Sequence, residues 1–295
     1  MARILVLGGT DLANAFVEAL QTAHPDLEIV LSLAGRTRSP KLPDCTIRTG
    51  GFGGAEGLAA YLRDEGITAL VDATHPYAAQ ISANAAKAAL EAGTPCLHLV
   101  RPAWEQAPGD NWHHARDYEE AAGSLDALSQ THPLTVFLTV GRQGLEPFHY
   151  LMNCIHVVRS VEQPDEAELP PGARVVLARG PFREADEEAF LKENEIDVIV
   201  SKNSGGTATY GKILAARTLR MPVVMVERPP LPEGEIVEHL GPGSPAGMTA
   251  GVLLRFGAAT SSPAAVISTI PHTVRRSGCS VKKTKPHSAA DTRYP

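Results

Sequence analysis

Two apolar periods alternate along this chain. Arg3–Leu7 carries a short continuous apolar run, and Ala13, Phe16, Val17 and Leu20 then recur at helical spacing. Glu28–Leu33 predicts a second strand, Ala55–Asp64 a helix through Leu58, Tyr61 and Leu62, and Ala69–Val71 a third strand. Ala78–Glu91 reads as an alanine-rich helix, Pro95–Val100 as a strand and Ala115–Leu128 as a helix. The rhythm then repeats. Leu134–Val140, Ile155–Arg159, Arg174–Ala178, Asp197–Val200 and Pro222–Val226 predict strands. Glu184–Glu193, Thr207–Leu219 and Thr249–Phe256 predict helices. Strands and helices that alternate in this way imply parallel sheets joined by right-handed crossovers. The fold class is therefore α/β, and we place two domains at residues 1–132 and 133–257. From Ala258 the apolar period stops, and residues 258–295 read as a disordered basic tail.

In such sheets the loops at the carboxyl ends of strands carry the ligands. Gly8-Gly9-Thr10 lies between the first strand and first helix, where a dinucleotide phosphate loop belongs. The full GxGxxG is absent: Thr10 replaces the middle glycine and Ala13 the last. A bare strand–helix turn is the competing reading. The second strand leads to Ala34-Gly35-Arg36-Thr37-Arg38, with no carboxylate to hold a ribose 2′-hydroxyl. Arg36, supported by Arg38, suits a 2′-phosphate and favours NADPH over NADH. Gly50-Gly51-Phe52-Gly53-Gly54 brings backbone close enough to press on a flat ring, against the alternative of a flexible loop.

Thr74-His75-Pro76-Tyr77 follows the third strand of the first half, and His75 reads as a site-lining group or a proton donor. Ser201-Lys202-Asn203-Ser204-Gly205-Gly206-Thr207 ends the run Val198–Val200, and a helix starting near Thr207 would aim its positive end there. Arg101, Arg142, Arg159, Arg179, Lys202 and Arg228 all follow or end strands. Arginine forks suit carboxylates, so the set points to a ligand with several negative groups.

Charge sharpens this reading. The chain has 295 residues and a net charge of −6. The tail from Ala258 holds six Lys or Arg against Asp291, a balance of +5, which leaves the body at −11. Cations at strand ends of an acidic body are placed, not incidental, and nucleic acid is not the expected partner. Cys45, Cys96, Cys154 and Cys279 make no CxxC pair and read as reduced thiols. The histidines show no metal-ligand spacing, so no metal site is expected. With neither a signal peptide nor an apolar run of spanning length, the expected location is cytoplasmic, without membrane contact.

Taken in order, LVLGGT at Leu5–Thr10, GGFGGAEGLAAYL at Gly50–Leu62, DATHPYAAQISANA at Asp72–Ala85, RPAW at Arg101–Trp104, LTVGRQ at Leu138–Gln143, ARGPF at Ala178–Phe182, SKNSGG at Ser201–Gly206 and VVMVERPP at Val223–Pro230 resemble the precorrin-6A reductase family of cobalamin biosynthesis. The resemblance covers Met1 to about Gly257. It implies two Rossmann-like domains with a cleft between them, NADPH mainly on the first, and reduction of one ring double bond of precorrin-6A, or its cobalt form, to give precorrin-6B. An anionic tetrapyrrole-derived substrate fits the cations independently. Handing of intermediates to other corrin-pathway enzymes is also implied.

The candidate cofactor residues are then Gly8, Gly9, Thr10, Arg36, Gly51, Phe52, Gly53 and Thr74. The candidate substrate residues are Arg142, Arg179, Ser201, Asn203, Ser204 and Gly205. Lys202, His75 and Tyr77 are the candidate catalytic residues, with bulk water as a further proton source. One departure concerns Asp11-Leu12, where the family's phosphate loop continues with Gly or Ser and then Glu; Asp11 would repel a phosphate unless it turns away or caps the helix. Two rivals remain. A short-chain-type NADP reductase or epimerase needs Tyr-x-x-x-Lys, and Tyr61, Tyr77, Tyr118, Tyr150 and Tyr210 all lack that lysine. A non-catalytic NADP(H)-binding protein would not need the second set of cationic loops.

Overall fold

In a computed structural model, which describes residues 2–35 and 42–238, the chain forms two parallel six-stranded sheets. The first half runs β1 (Arg3–Leu7), α1 (Asp11–Ala23), β2 (Glu28–Leu33), β3 (Thr46–Thr49), α2 (Gly54–Asp64), β4 (Ala69–Asp72), α3 (Ala79–Ala92) and β5 (Cys96–Val100). The second runs β6 (Asn111–Ala115), α4 (Tyr118–Ser129), β7 (Leu134–Leu138), β8 (Cys154–Ser160), β9 (Arg174–Leu177), α5 (Glu184–Glu193), β10 (Val198–Lys202), α6 (Gly211–Leu219), β11 (Pro222–Val226) and β12 (Glu235–Glu238).

The strand orders are β12-β5-β4-β1-β2-β3 and β6-β11-β10-β7-β8-β9. They share one winding, and the order reverses between β1 and β4 in one and between β7 and β10 in the other. Each sheet takes its edge strand from outside its own βα run: β6 follows β5 in the chain yet pairs with β11, and β12 follows β11 yet pairs with β5. The chain thus crosses between sheets twice. The chain first passes between the sheets after β5, and β6 is not among the strands expected from the sequence. The reason is local. In Asn111–Ala115 only Trp112 and Ala115 are buried while His113 and His114 face out, so an edge strand hides in a polar stretch.

Both sheets are covered on each face. One core of the first sheet gathers Val6, Phe16, Val17, Leu20 and Leu31 under α1, and the other gathers Leu5, Leu58, Leu62 and Leu70 under α2 and α3. In the second sheet Leu125, Leu138, Phe148 and Val200 fill one face and Phe137, Leu191, Ile199 and Ile213 the other. Burial on both faces explains the continuous apolar runs.

Two helix starts differ from the sequence reading. The helix expected from Ala115 begins at Tyr118, capped by Asp117, whose side chain accepts from the Glu120 amide. The helix expected from Thr207 begins at Gly211, because residues 203–210 turn on themselves through Ser204 N to Lys202 O and Tyr210 N to Thr207 O. Its positive end therefore does not stand at Thr207. Arg36, Arg38, the helix expected over 249–256 and the tail 258–295 lie outside the described residues. Cys45, Cys96 and Cys154 are free thiols, and burial pushes Cys96 up to about 12. No helix among the described residues is long and apolar enough to cross a membrane.

One glycine sets the shape of the loop after β3. A Cβ at Gly57 would lie 1.8 Å from the Phe52 carbonyl oxygen. Gly57→Ala must push the Gly50–Gly54 turn off α2, and overpacking of this kind costs about 1–3 kcal/mol. We expect a lower denaturant midpoint at unchanged slope; an unchanged midpoint would show that the turn yields freely.

Candidate active site

The carboxyl ends of the two sheets meet, and the contact is made by hydrogen bonds between loops. Tyr77, past β4, donates its hydroxyl proton to the Val226 carbonyl at the end of β11 and accepts from the Asn203 amide at 2.7 Å. Asn203, past β10, spends its side chain on Trp104: Oδ1 accepts from the Trp104 amide at 2.7 Å and Nδ2 donates to its carbonyl at 3.0 Å. Trp104 Nε1 donates to the Gly206 carbonyl at 2.7 Å. Arg228 donates to the carbonyls of Asn203, Arg101 and Pro102 at 2.7, 2.6 and 3.2 Å. Gly205 completes the joint at φ +67°, where a Cβ would stand 2.2 Å from the Pro102 carbonyl oxygen.

These bonds redefine three residues picked out from the sequence. The Tyr77 hydroxyl has both sides occupied and burial pushes its pKa up, so it positions loops rather than moving protons. Asn203 is buried with both ends of its amide bonded to the Trp104 backbone, so it shapes the site. Arg228 is a clamp and not a member of the ligand-facing cations. Ser201 is buried as well, its hydroxyl donating to the Lys202 carbonyl at 3.2 Å.

Beside the joint lies a cavity of about 350 Å³. His75 reaches it from the first sheet; Thr139, Gly141, Arg142, Arg159, Ser160, Ala178, Gly180, Phe182, Lys202, Ser204 and Lys212 line it from the second. Arg142, Arg159, Lys202 and Lys212 face Glu162 as the one carboxylate of the lining. Lys202 is held down to about 8 by burial, and its Nζ stands 5.4 Å from the Tyr77 ring centroid. Gly141, at φ +75°, leaves it room: a Cβ there would sit 3.5 Å from Nζ. His75 is held down to about 3, first by burial and then by Lys202, Arg101 and Arg228, so its imidazole is neutral at physiological pH.

Of the candidate substrate residues, Arg142 and Ser204 line the cavity. Arg179 is exposed and does not line the cavity, although Ala178 and Gly180 on either side do. Lys212 was missed, because on α6 it reads as an ordinary helix cation. Among the described residues no His/Cys/Asp/Glu group is placed to hold a metal ion.

The first sheet supplies the facing half. Gly9 takes φ +101° with open space where a Cβ would stand, whereas a Cβ at Gly8 would lie 2.5 Å from Leu31 Cδ1. The Thr10 hydroxyl caps α1, accepting from the Ala13 amide at 3.1 Å and donating to the Ala73 carbonyl at 2.8 Å. Asp11 follows the cap on the outside of the turn, exposed, with Arg101 in electrostatic reach. Gly50, Gly51, Gly53 and Gly54 all open onto empty space, a cradle that side chains would fill. Arg48, unremarked in the sequence, fixes this turn by donating to the Gly50 and Gly51 carbonyls at 2.6 and 2.8 Å, and covers the Phe52 ring at 3.6 Å. Phe52 therefore supports the turn from below instead of offering a free face. Thr74 donates its hydroxyl proton to Asp72 at 2.7 Å. Burial pushes Asp72 up, but hydrogen bonds from His98, Ser82 and Thr74 outweigh it and hold the carboxylate below its ordinary range.

The model of the Precorrin-6x reductase CbiJ/CobK family matches residues 3–241, which contain both sheets. The chain belongs to this family. A precorrin-6A reductase of Rhodococcus erythropolis is 50% identical over 232 residues, 79% of this chain and 91% of the relative. One from Mycobacterium tuberculosis is 45% identical over 234 residues, 79% of this chain and 92% of the relative. A solved structure of a CobK precorrin-6A reductase superposes with a TM-score of 0.77 at 38% identity, over 87% of this chain and 98% of that one.

Tyr77→Phe tests the joint. The variant loses both hydroxyl bonds and leaves the Asn203 amide and the Val226 carbonyl only their mutual bond at 3.2 Å, a loss of about 0.5–1.5 kcal/mol per hydrogen bond. Chemical denaturation should show that loss while the pH profile of turnover keeps its shape; a lost limb would make Tyr77 a proton-transfer group.

Proposed function

We propose that this protein is an NADPH-dependent precorrin-6A reductase that reduces one double bond of the macrocycle to give precorrin-6B in cobalamin biosynthesis. The observation that carries the reading is the cavity at the joint, lined by four cations and one carboxylate; the first sheet adds an open glycine turn. A macrocycle edged with carboxylates suits the first, and a dinucleotide suits the second.

The residues of the first sheet fit such a cofactor. The turn at Gly8–Thr10 presents the amino end of α1 to a phosphate, and the open Gly50–Gly54 turn accepts a ring or pyrophosphate against backbone. Arg36 serves the 2′-phosphate in this reading. Bound there, the reduced nicotinamide supplies a hydride. The chain's own work is positioning two flat systems face to face and keeping water out.

On the substrate side Arg142 and Lys202 hold carboxylate arms at the strand ends. The neutral His75 lines the gap between the halves without adding charge. Of the three catalytic candidates, Lys202 alone combines a cavity position with a proton that titrates near neutrality. Its charge is present below about pH 8 and lost above, so substrate affinity should fall as pH rises through that value.

The direct test follows the macrocycle absorbance on mixing with NADPH and precorrin-6A; no spectral change with the folded protein would refute the assignment. Cofactor choice is tested by Arg36→Ala. Loss of a charge-assisted contact, about 1.5–3 kcal/mol, should raise the NADPH Kd at least tenfold and leave NADH nearly unchanged; equal losses would remove Arg36 from the site. Lys202→Met should raise the KM for precorrin-6A by about tenfold or more and abolish the pH limb near 8. Wild-type kinetics would exclude the lysine from the cavity, and a collapse of kcat at unchanged binding would make it the proton donor instead.

A further inference from the structure

Lys212 is the one lysine or arginine that is fully buried among the described residues. It stands in the first turn of α6, behind Gly211, where a Cβ would lie 2.5 Å from the Phe182 carbonyl oxygen. Its ammonium donates to the Thr209 carbonyl at 2.9 Å and lies 5.2 Å from the Trp104 ring centroid. The carboxylate facing it from α5, Glu187, is already paired with Arg159 at 2.8 Å. Arg159 is walled in by the rings of Phe137, Phe182 and Phe190 at 4.7, 4.3 and 4.9 Å, and its Nε is buried without a partner. Both cations line the cavity.

An ammonium has three protons to donate, and a single carbonyl takes one of them. Holding it out of water without a counter-charge costs several kcal/mol. The fold accepts that cost at Lys212; Arg159 has Glu187 as counter-charge but leaves one donor, Nε, unpartnered, and both residues line the same cavity.

We propose that Lys212 and Arg159 form a carboxylate subsite in the wall of the cavity, distinct from Lys202, which anchors one acidic arm of the macrocycle. The proposal rests on the substrate reading above and deepens it. The charged groups facing Lys212 are Glu187 from α5, Arg159 from β8 and Lys202 from β10; the remaining neighbours are the neutral Trp104 ring and the Thr209 carbonyl. Burial brings Lys212 down to about 7, with Glu187 opposing and Arg159 and Lys202 reinforcing. An arriving carboxylate favours the charged form, so binding takes up a proton. Affinity is then full below about pH 7 and falls by up to about tenfold per pH unit above it.

Titration of the full chain with precorrin-6A, followed by tryptophan fluorescence from pH 6 to 9, tests this. Lys212→Met keeps the stem and removes the charge. We expect its Kd to rise at least tenfold at pH 6.5, the pH dependence near 7 to vanish, and the NADPH Kd to stay as in wild type. Lys212→Arg should recover most of the affinity at pH 6.5 and hold it at higher pH. Unchanged substrate affinity in Lys212→Met would overturn the subsite. So would equal weakening in both variants together with a lowered denaturant midpoint, which would mean packing alone. A wild-type chain that neither binds nor reduces precorrin-6A would instead refute the functional reading itself.

Discussion

The two sheets present one site because a few backbone groups are tied across their ends. Tyr77 leaves the first sheet and hydrogen-bonds two strand ends of the second, at Asn203 and Val226. Asn203 and Arg228 return the tie to the segment after β5. The cavity residues of the second sheet are brought beside His75 of the first through that joint. The exchanged edge strands β6 and β12 support it from the far side, since each sheet is completed by chain leaving the other. Low-dielectric hydrogen bonds of this kind hold geometry because each lost partner leaves a buried polar group behind.

Electrostatics sets what the joint is for. The body of the chain is acidic, yet four cations gather around one cavity with Glu162 as the carboxylate of its lining. Burial pulls Lys202 and Lys212 toward neutrality and leaves His75 uncharged. A cavity built in this way is costly while it holds only water and relaxed when it holds carboxylates. Affinity and pH dependence are then two faces of one property.

The elements that were legible in the sequence are those buried on both faces or punctuated by glycine. Ile4–Leu7 and Val198–Val200 were continuous apolar runs, and glycines marked the turns after β1 and β3. The edge strands β6 and β12 were not legible, because a strand covered on one side carries little apolar pattern. The roles of Tyr77, Asn203 and Arg228 were not legible either. A polar residue at a strand end looks the same whether it faces a ligand or a neighbouring carbonyl, and only the fold decides. Lys212 was hidden for the opposite reason: its position on a helix resembles a solvated cation, and it is buried only because Gly211 lets α6 press against the loop after β9.

The central claim is that the cavity at the joint holds the macrocycle by its carboxylates, facing the glycine cradle. A crystal structure of the chain with NADP⁺ and precorrin-6A tests it most directly. The account predicts the ring between the two sheets' carboxyl ends, one carboxylate within hydrogen-bonding distance of Lys212 and Arg159, and another at Lys202 or Arg142. A macrocycle bound elsewhere, or bound there with those cations facing only water, would contradict it.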